Sequence, residues 1–171
     1  MSKSTPPTGW DALGQAVWAD QVAVVRELLE SGADPNGTVV GKTPLMEAVD
    51  EPKAFFDAGR LEMTVRLIEA GADCNRRDEL GRTALHFAVV AGPAAIDALV
   101  AGGADVDLRS NDGRTPLHEA ALRGDVASLE ALVRHGAGTT LQDDAGATAA
   151  ALLDPLLEAD DLARVRGSLG A

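Results

Sequence analysis

Apolar residues along the chain come in short paired bursts, each spaced for one face of a helix and closed by glycine. The clearest pair lies between Thr115 and Gly136. Leu117, Ala120 and Ala121 fall on one face of a first short helix, which Gly124 ends. Val126, Leu129, Leu132 and Val133 recur at three-to-four-residue spacing along a second helix, which Gly136 stops. Thr115 is placed to cap the first helix, and Pro116 fits its first turn, where a missing N–H costs nothing. Polar stretches such as Arg76 to Arg82 separate successive pairs and have the length of a projecting β-turn or hairpin.

The pairs repeat. Gly-Ala-Asp occurs at residues 32–34, 71–73 and 103–105, with a relative at Gly136-Ala137-Gly138, at intervals of 39, 32 and 33 residues. A second marker keeps the same beat: Thr43-Pro44-Leu45, Thr83-Ala84-Leu85-His86, Thr115-Pro116-Leu117-His118, then Thr148 alone, at intervals of 40, 32 and 33. Two markers at a period near 33 indicate a solenoid, in which one unit cannot bury its apolar face without its neighbours.

The run from Asp112 to Gly124, followed by Leu132-Val133 and Gly136-Ala137, resembles the ankyrin repeat, and matching units begin near Trp10, Val39, Glu79, Asn111 and Asp144. The resemblance implies an all-α solenoid of about five helix-turn-helix units with β-hairpin or turn connections. The expected layout is a flexible N-terminal tail over 1–9 and a repeat domain over 10–171. Its units fall at about 10–38, 39–78 (with an insertion near 50–58), 79–110, 111–143 and 144–169. The first unit lacks the Thr-Pro start and has Gly14 at the histidine position, and the last reads Thr148-Ala149-Ala150-Ala151, so both are read as caps. The third lacks one residue before Leu99, where Pro93 is placed to reset the second helix. The insertion carries Phe55-Phe56, the only aromatic pair, and is expected to form a finger against a partner or to pack back on its own unit.

Composition narrows the function. Hydrophobic residues make up 46% of the 171, aromatics only 3% and tyrosine is absent, so the core must be built from Ala, Leu and Val. Fifteen basic residues against 27 acidic ones give a net charge of −12, which argues against nucleic acid or an anionic membrane as partner. One cysteine excludes an internal disulfide framework. No apolar run resembles a signal peptide or a membrane span, so a cytoplasmic protein is expected, and Ala-, Gly- and Arg-rich usage points to a bacterial gene.

Candidate chemistry is sparse. His86 and His118 occupy the Thr-x-x-His position, where the resemblance implies an imidazole bridging its threonine and neighbouring backbone; Thr43, Thr83 and Thr115 share that structural role. His135 is placed to answer a helix dipole, and Cys74 lacks a nearby base. Asp34, Asp73 and Asp105 follow helix ends as Asx residues, and the pairs Asp143-Asp144 and Asp160-Asp161 read as solvated surface. No metal, phosphate-binding or nucleophile motif is present, so neither a cofactor nor an enzyme is expected.

What remains is surface. Positions two, five and six after the motif leucine share a helix face opposite the buried residues: Gln15, Trp18 and Ala19; Glu47, Asp50 and Glu51; Phe87, Val90 and Ala91; Glu119, Leu122 and Arg123. Stacking aligns them into a stripe expected to be concave and continued by hairpin tips, where ankyrin-like proteins generally bind proteins. The expected contact set is Trp18, Val39, Val40, Lys42, Phe55, Phe56, Leu80, Arg82, Phe87, Val90, Asn111, Arg114, Glu119, Leu122 and Arg123. Trp18 and Phe87 are either anchors facing water or extensions of the core. Lys42, Arg76, Arg77, Arg82, Arg109 and Arg114 crowd the hairpin segments and suggest a locally basic edge, suited to an acidic partner unless Asp78, Glu79 and Asp112 neutralise it. The expected function is non-catalytic binding of an unidentified protein by a monomer. Because the array nearly fills the sequence, an immunity-type inhibitor covering an enzyme is the alternative; an enzyme or a structural homo-oligomer ranks behind both.

Overall fold

The computed structural model describes residues 11–38 and 41–153, together with residues 165 and 167. The expected tail over 1–9, Val39 and Val40, the pair Asp160-Asp161 and most of the last unit beyond Leu153 lie outside the described residues. Nine helices occur among the described residues, and no strand does.

Helices α1 (Ala12–Trp18), α3 (Pro44–Val49), α5 (Ala84–Ala91), α7 (Pro116–Leu122) and α9 (Ala149–Leu153) form an inner row, each packed on the next. Helices α2 (Val22–Glu30), α4 (Ala58–Glu69), α6 (Pro93–Ala101) and α8 (Val126–Arg134) form a parallel outer row, each packed on its neighbours and on the inner helix before it. The core lies between the rows. Leu13, Leu45, Leu85 and Leu117 repeat at one position of the inner helices and are all buried, facing Val25, Leu67, Leu99 and Leu132 of the outer ones. Each such side chain contributes about 2 kcal/mol by leaving water. Fully buried Ala48, Ala88 and Ala120 keep the inner helices thin enough for close stacking.

Local chemistry starts each helix. Thr43 accepts a hydrogen bond from the Met46 N–H at 3.2 Å, ahead of Pro44 in the first turn. In the first unit Asp11 takes the threonine's place and accepts from the Gly14 N–H at 2.8 Å, so this unit keeps both helices without the Thr-Pro start. At the shortened third unit Gly92, at φ +95°, closes α5 and opens α6 with Pro93 directly behind it. A side chain at residue 92 would be strained at that φ and would meet the Lys53 stem.

The connections are tight turns, not extended hairpins. The Asp78 N–H bonds the Arg82 carbonyl at 2.9 Å, and the Ser110 N–H bonds that of Arg114 at 2.8 Å. The last turn adds a bridge, antiparallel between Gln142 and Thr148. Asp78 and Asp143 shape these turns by accepting backbone N–H groups: Leu80 and Arg82 on Asp78, Ala145 and Ala147 on Asp143.

The insertion does not project as a finger. The Lys53 N–H bonds the Val90 carbonyl at 3.0 Å, and its ammonium reaches Asp125, in the turn between α7 and α8, at 2.6 Å. Its stem lies against Gly92. Phe56 packs on the core, whereas Phe55 at the outer edge is 67% exposed. Behind the insertion sits Arg60 of α4, its side chain only 3% exposed and paired with Asp20 and Glu51. The segment is a strap tied to every unit from the first to the fourth, because one cation at each end finds a carboxylate on another unit.

Candidate functional site: the inner-helix face and its turns

Three hydrogen-bond ladders set the register between units and so position this face. Asp34, Asp73 and Asp105 each accept the N–H two residues on. Asn36 then donates to the Gly71 carbonyl and accepts from the Asp73 N–H, and Asn75 does the same with Gly103 and Asp105. Asp107 continues the series by accepting the Gly138 N–H at 2.8 Å. The second ladder is imidazole. His86 Nδ1 accepts the Thr83 N–H at 3.1 Å, so the proton sits on Nε2 and is donated to the Arg114 carbonyl at 3.0 Å. His118 repeats the arrangement with Thr115 and with the Ala147 carbonyl.

The third ladder uses the arginines of the turns. Arg77 donates to the Arg109 carbonyl at 2.7 Å, and Arg109 in turn donates to the Gln142 carbonyl at 2.8 Å and pairs with Asp144. Arg82 forks onto Asp78, Arg114 pairs with Asp112 and Asp143, and Lys42 pairs with Asp50 and Glu47. The expected basic edge is thereby corrected. Five of its six cations are engaged inside the array, because each carbonyl or carboxylate partner lies within the same unit or one repeat away. Arg76 is exposed and has no such partner among the described residues.

Phe87 is corrected as well: it is 6% exposed and does not face water. Lys42 Nζ lies 4.8 Å and the Arg82 guanidinium carbon 4.4 Å from its ring centroid, so the two cations cover the ring and gain cation–π attraction from it. Trp18, Val90 and Leu122 are half-buried. Around this covered ring Lys42, Asp50, Arg82, His86, Val90, Glu119 and Arg123, drawn from three consecutive units, line a cavity of about 180 Å³. A second cavity of about 390 Å³ opens between the turns of the third and fourth units, lined by Leu80, Arg82, Ser110, Asn111, Asp112 and Glu119. Leu80 is 57% exposed there, and Asn111 is tied back to the Glu79 carbonyl. The structure thus gathers eight of the fifteen expected contact residues about two adjoining cavities, with Arg114 in the adjacent turn. Phe55 and Phe56 lie apart on the strap, and Trp18 lies at the end of α1.

Sequence reasoning does not reach the Asn36, Asn75 and Asp107 ladder, although a marker two residues after each Gly-Ala-Asp carries the signal. It does not reach Arg60 or the Lys53–Asp125 tie either, and no periodic marker could find these because the insertion occurs once. Among the described residues no group of His, Cys, Asp and Glu is arranged to hold a metal ion, and no helix is long and apolar enough to cross a membrane.

Protonation destabilises the face at both of its shifted groups. Burial pushes the His86 pKa down, partly offset by its bond to the Arg114 carbonyl and by the Glu119 and Asp78 carboxylates. The Ala147 N–H holds the Asp143 carboxyl below its ordinary range, against burial and with help from the Ala145 N–H. A lowered carboxyl contributes stability above its unfolded pKa of about 3.9 and loses it as the pH falls through the folded value. A lowered histidine costs stability once the unfolded chain takes up a proton below about pH 6.5. Urea midpoints should therefore fall on acidification in two stages. Asp143→Asn, which keeps the acceptor oxygen, should be less stable at pH 7 and lose less below pH 4; parallel curves for the two proteins would refute the assignment.

Two packed rows of short helices, joined by turns and registered by repeated ladders, define a tandem-repeat solenoid whose site is a surface. The family model described as "Ankyrin repeats (3 copies)" matches residues 53–143, more than half of the chain, and that described as "Ankyrin repeat" matches residues 8–38. The chain belongs to the ankyrin repeat family. Members of this family generally mediate protein–protein interaction and are typically non-catalytic. No curated protein matches the sequence.

Proposed function

We propose that the chain is a non-catalytic binding protein that engages a protein partner through its inner-helix face and the turns of its third and fourth units. The observation that carries this reading is the cavity shared by Lys42, Arg82 and Arg123, which exists only because three units stack in register. Its wall ends in Arg123, which is exposed and whose guanidinium has no ion pair or hydrogen-bond partner among the described residues. Exposed Leu80 lines the adjoining cavity. Mixed charge with a few apolar groups is the ordinary make-up of a protein-binding rim, and arginine is a common anchor.

Affinity capture with variants of matched helical circular dichroism tests the reading. A double variant Leu80→Ser, Arg123→Glu should lose a captured partner, with affinity down roughly a hundredfold if both contacts are anchors. The pair Val24→Ser, Val65→Ser, which removes exposed apolar groups from outer helices α2 and α4, should retain it. Loss by the second variant and retention by the first would move the interface to the outer row.

A further inference from the structure

Resting on that reading, we infer that the partner presents a basic extended segment, and that the groove between the third and fourth turns receives one of its arginine or lysine side chains. The groove measures about 390 Å³, with exposed Leu80 on one side and Glu119 of α7 on the other. Glu119 is half-buried, lines both cavities of this face, and has no hydrogen bond or ion pair to its carboxylate among the described residues. A partly desolvated carboxylate without a partner is stabilised when a cation reaches it.

The donors that would receive an acidic side chain in this groove are already engaged. Arg82 is forked onto Asp78, the Asn111 amide donates to the Glu79 carbonyl, and the single Ser110 Oγ proton is shared between Asp112 and the Arg114 carbonyl. What the groove offers is an apolar wall for a long aliphatic stem and a carboxylate for its charged head. The net charge of −12 acts in the same sense at longer range, drawing a basic segment in and repelling an acidic one. Arg123, the unpaired cation one turn further along the same segment, belongs to the other cavity.

Backbone amide shift mapping on the full chain near physiological salt tests this, with two capped peptides as probes: Gly-Arg-Leu-Arg-Gly and Gly-Glu-Leu-Glu-Gly. The arginine peptide should move amides at 80–82, 110–113 and 119, and the glutamate peptide should not. Glu119→Gln should weaken the arginine peptide roughly tenfold and Leu80→Ser about threefold. Glu27→Gln, which makes the same charge change on the outer helix α2, should leave it unchanged. Equal binding of both peptides at the groove, an effect of Glu119→Gln no larger than that of Glu27→Gln, or no shift at millimolar peptide would overturn the inference. Glutamate-peptide shifts gathered at Val90 and Arg123 would overturn it while leaving the inner-helix face as the binding surface. Shifts confined to α2 and α4 would remove both.

Discussion

Arg60→Ala is expected to lower the free energy of unfolding by about 3 kcal/mol, the usual cost of removing one partner from a buried ion pair. The Arg60 guanidinium bonds Glu51 at 3.1 Å and the Glu47 carbonyl at 3.2 Å, and it also pairs with Asp20. Three segments meet on it: the turn between α1 and α2, the end of α3 and the start of the strap. Removing it takes the guanidinium at 3.1 Å away from Glu51, whose side chain is 15% exposed. The Arg26–Glu62 pair, at 2.8 Å, is shorter than the Arg60–Glu51 pair, but both of its side chains are more than a third exposed. Solvent screening and side-chain entropy hold such pairs to about 0–1 kcal/mol. Urea unfolding should therefore separate Arg60→Ala from Arg26→Ala by about 2 kcal/mol or more. Arg60→Met, which restores the stem's packing but no charge, should fall between them, and Arg60→Lys should fail to restore the full value because it lacks the fork that reaches several acceptors. Hydrogen exchange across residues 50–57 should rise in Arg60→Ala. If Arg60→Ala and Arg26→Ala unfold alike, burial of the Arg60 pair is not what secures the strap.

The contrast between Arg60 and the histidines explains what could be read from the chain. Thr83-x-x-His86 and Thr115-x-x-His118 recur in one frame, so their spacing, with the resemblance, pointed to bonds between units. Gly-Ala-Asp carried the Asx turns in the same way. The strap occurs once, and its ties reach Val90 and Asp125, residues 37 and 72 positions beyond Lys53. No local pattern encodes such a contact. The turn cations fail for a related reason: a count of charges finds six near one edge but does not tell which carbonyl or carboxylate receives Arg77, Arg82, Arg109, Arg114 or Lys42. Phe87 shows the limit of face reasoning. Its helix position is that of the inner face, yet the long stems of Lys42 and Arg82, from two different units, close over the ring. Glu119 and Arg123 were on the same stripe. Their lack of partners emerges only once every neighbouring cation and carboxylate has been paired.

His118→Ala is expected to cost about 3 kcal/mol, combining a buried side chain removed from a site that cannot collapse with a buried backbone N–H left unpaired. His118 is fully buried. It completes a capping box with Thr115 at the start of α7 and donates across to the Ala147 carbonyl at 3.1 Å, in the turn that leads to α9. The alanine variant leaves the Thr115 N–H without its acceptor and the Ala147 carbonyl with the Asp143 N–H alone. In a solenoid the stability of one unit depends on its interface with the next, so the loss should fall unevenly. In unit four α7 keeps its contacts with α5 and α8, while the described part of the last unit keeps the packing of α9 on α7 and the Arg109–Asp144 pair. Hydrogen exchange should quicken most over residues 145–153, and the urea transition should broaden as the last unit separates from the others. His86→Ala makes the same chemical deletion in the middle of the array. There the third unit is held on both sides and by the strap through Val90, so its transition should shift to lower urea while staying sharp. The comparison isolates position from chemistry. Equal broadening in the two variants would mean that the imidazole ladder does not set the coupling between units, and that the packed inner helices carry it alone.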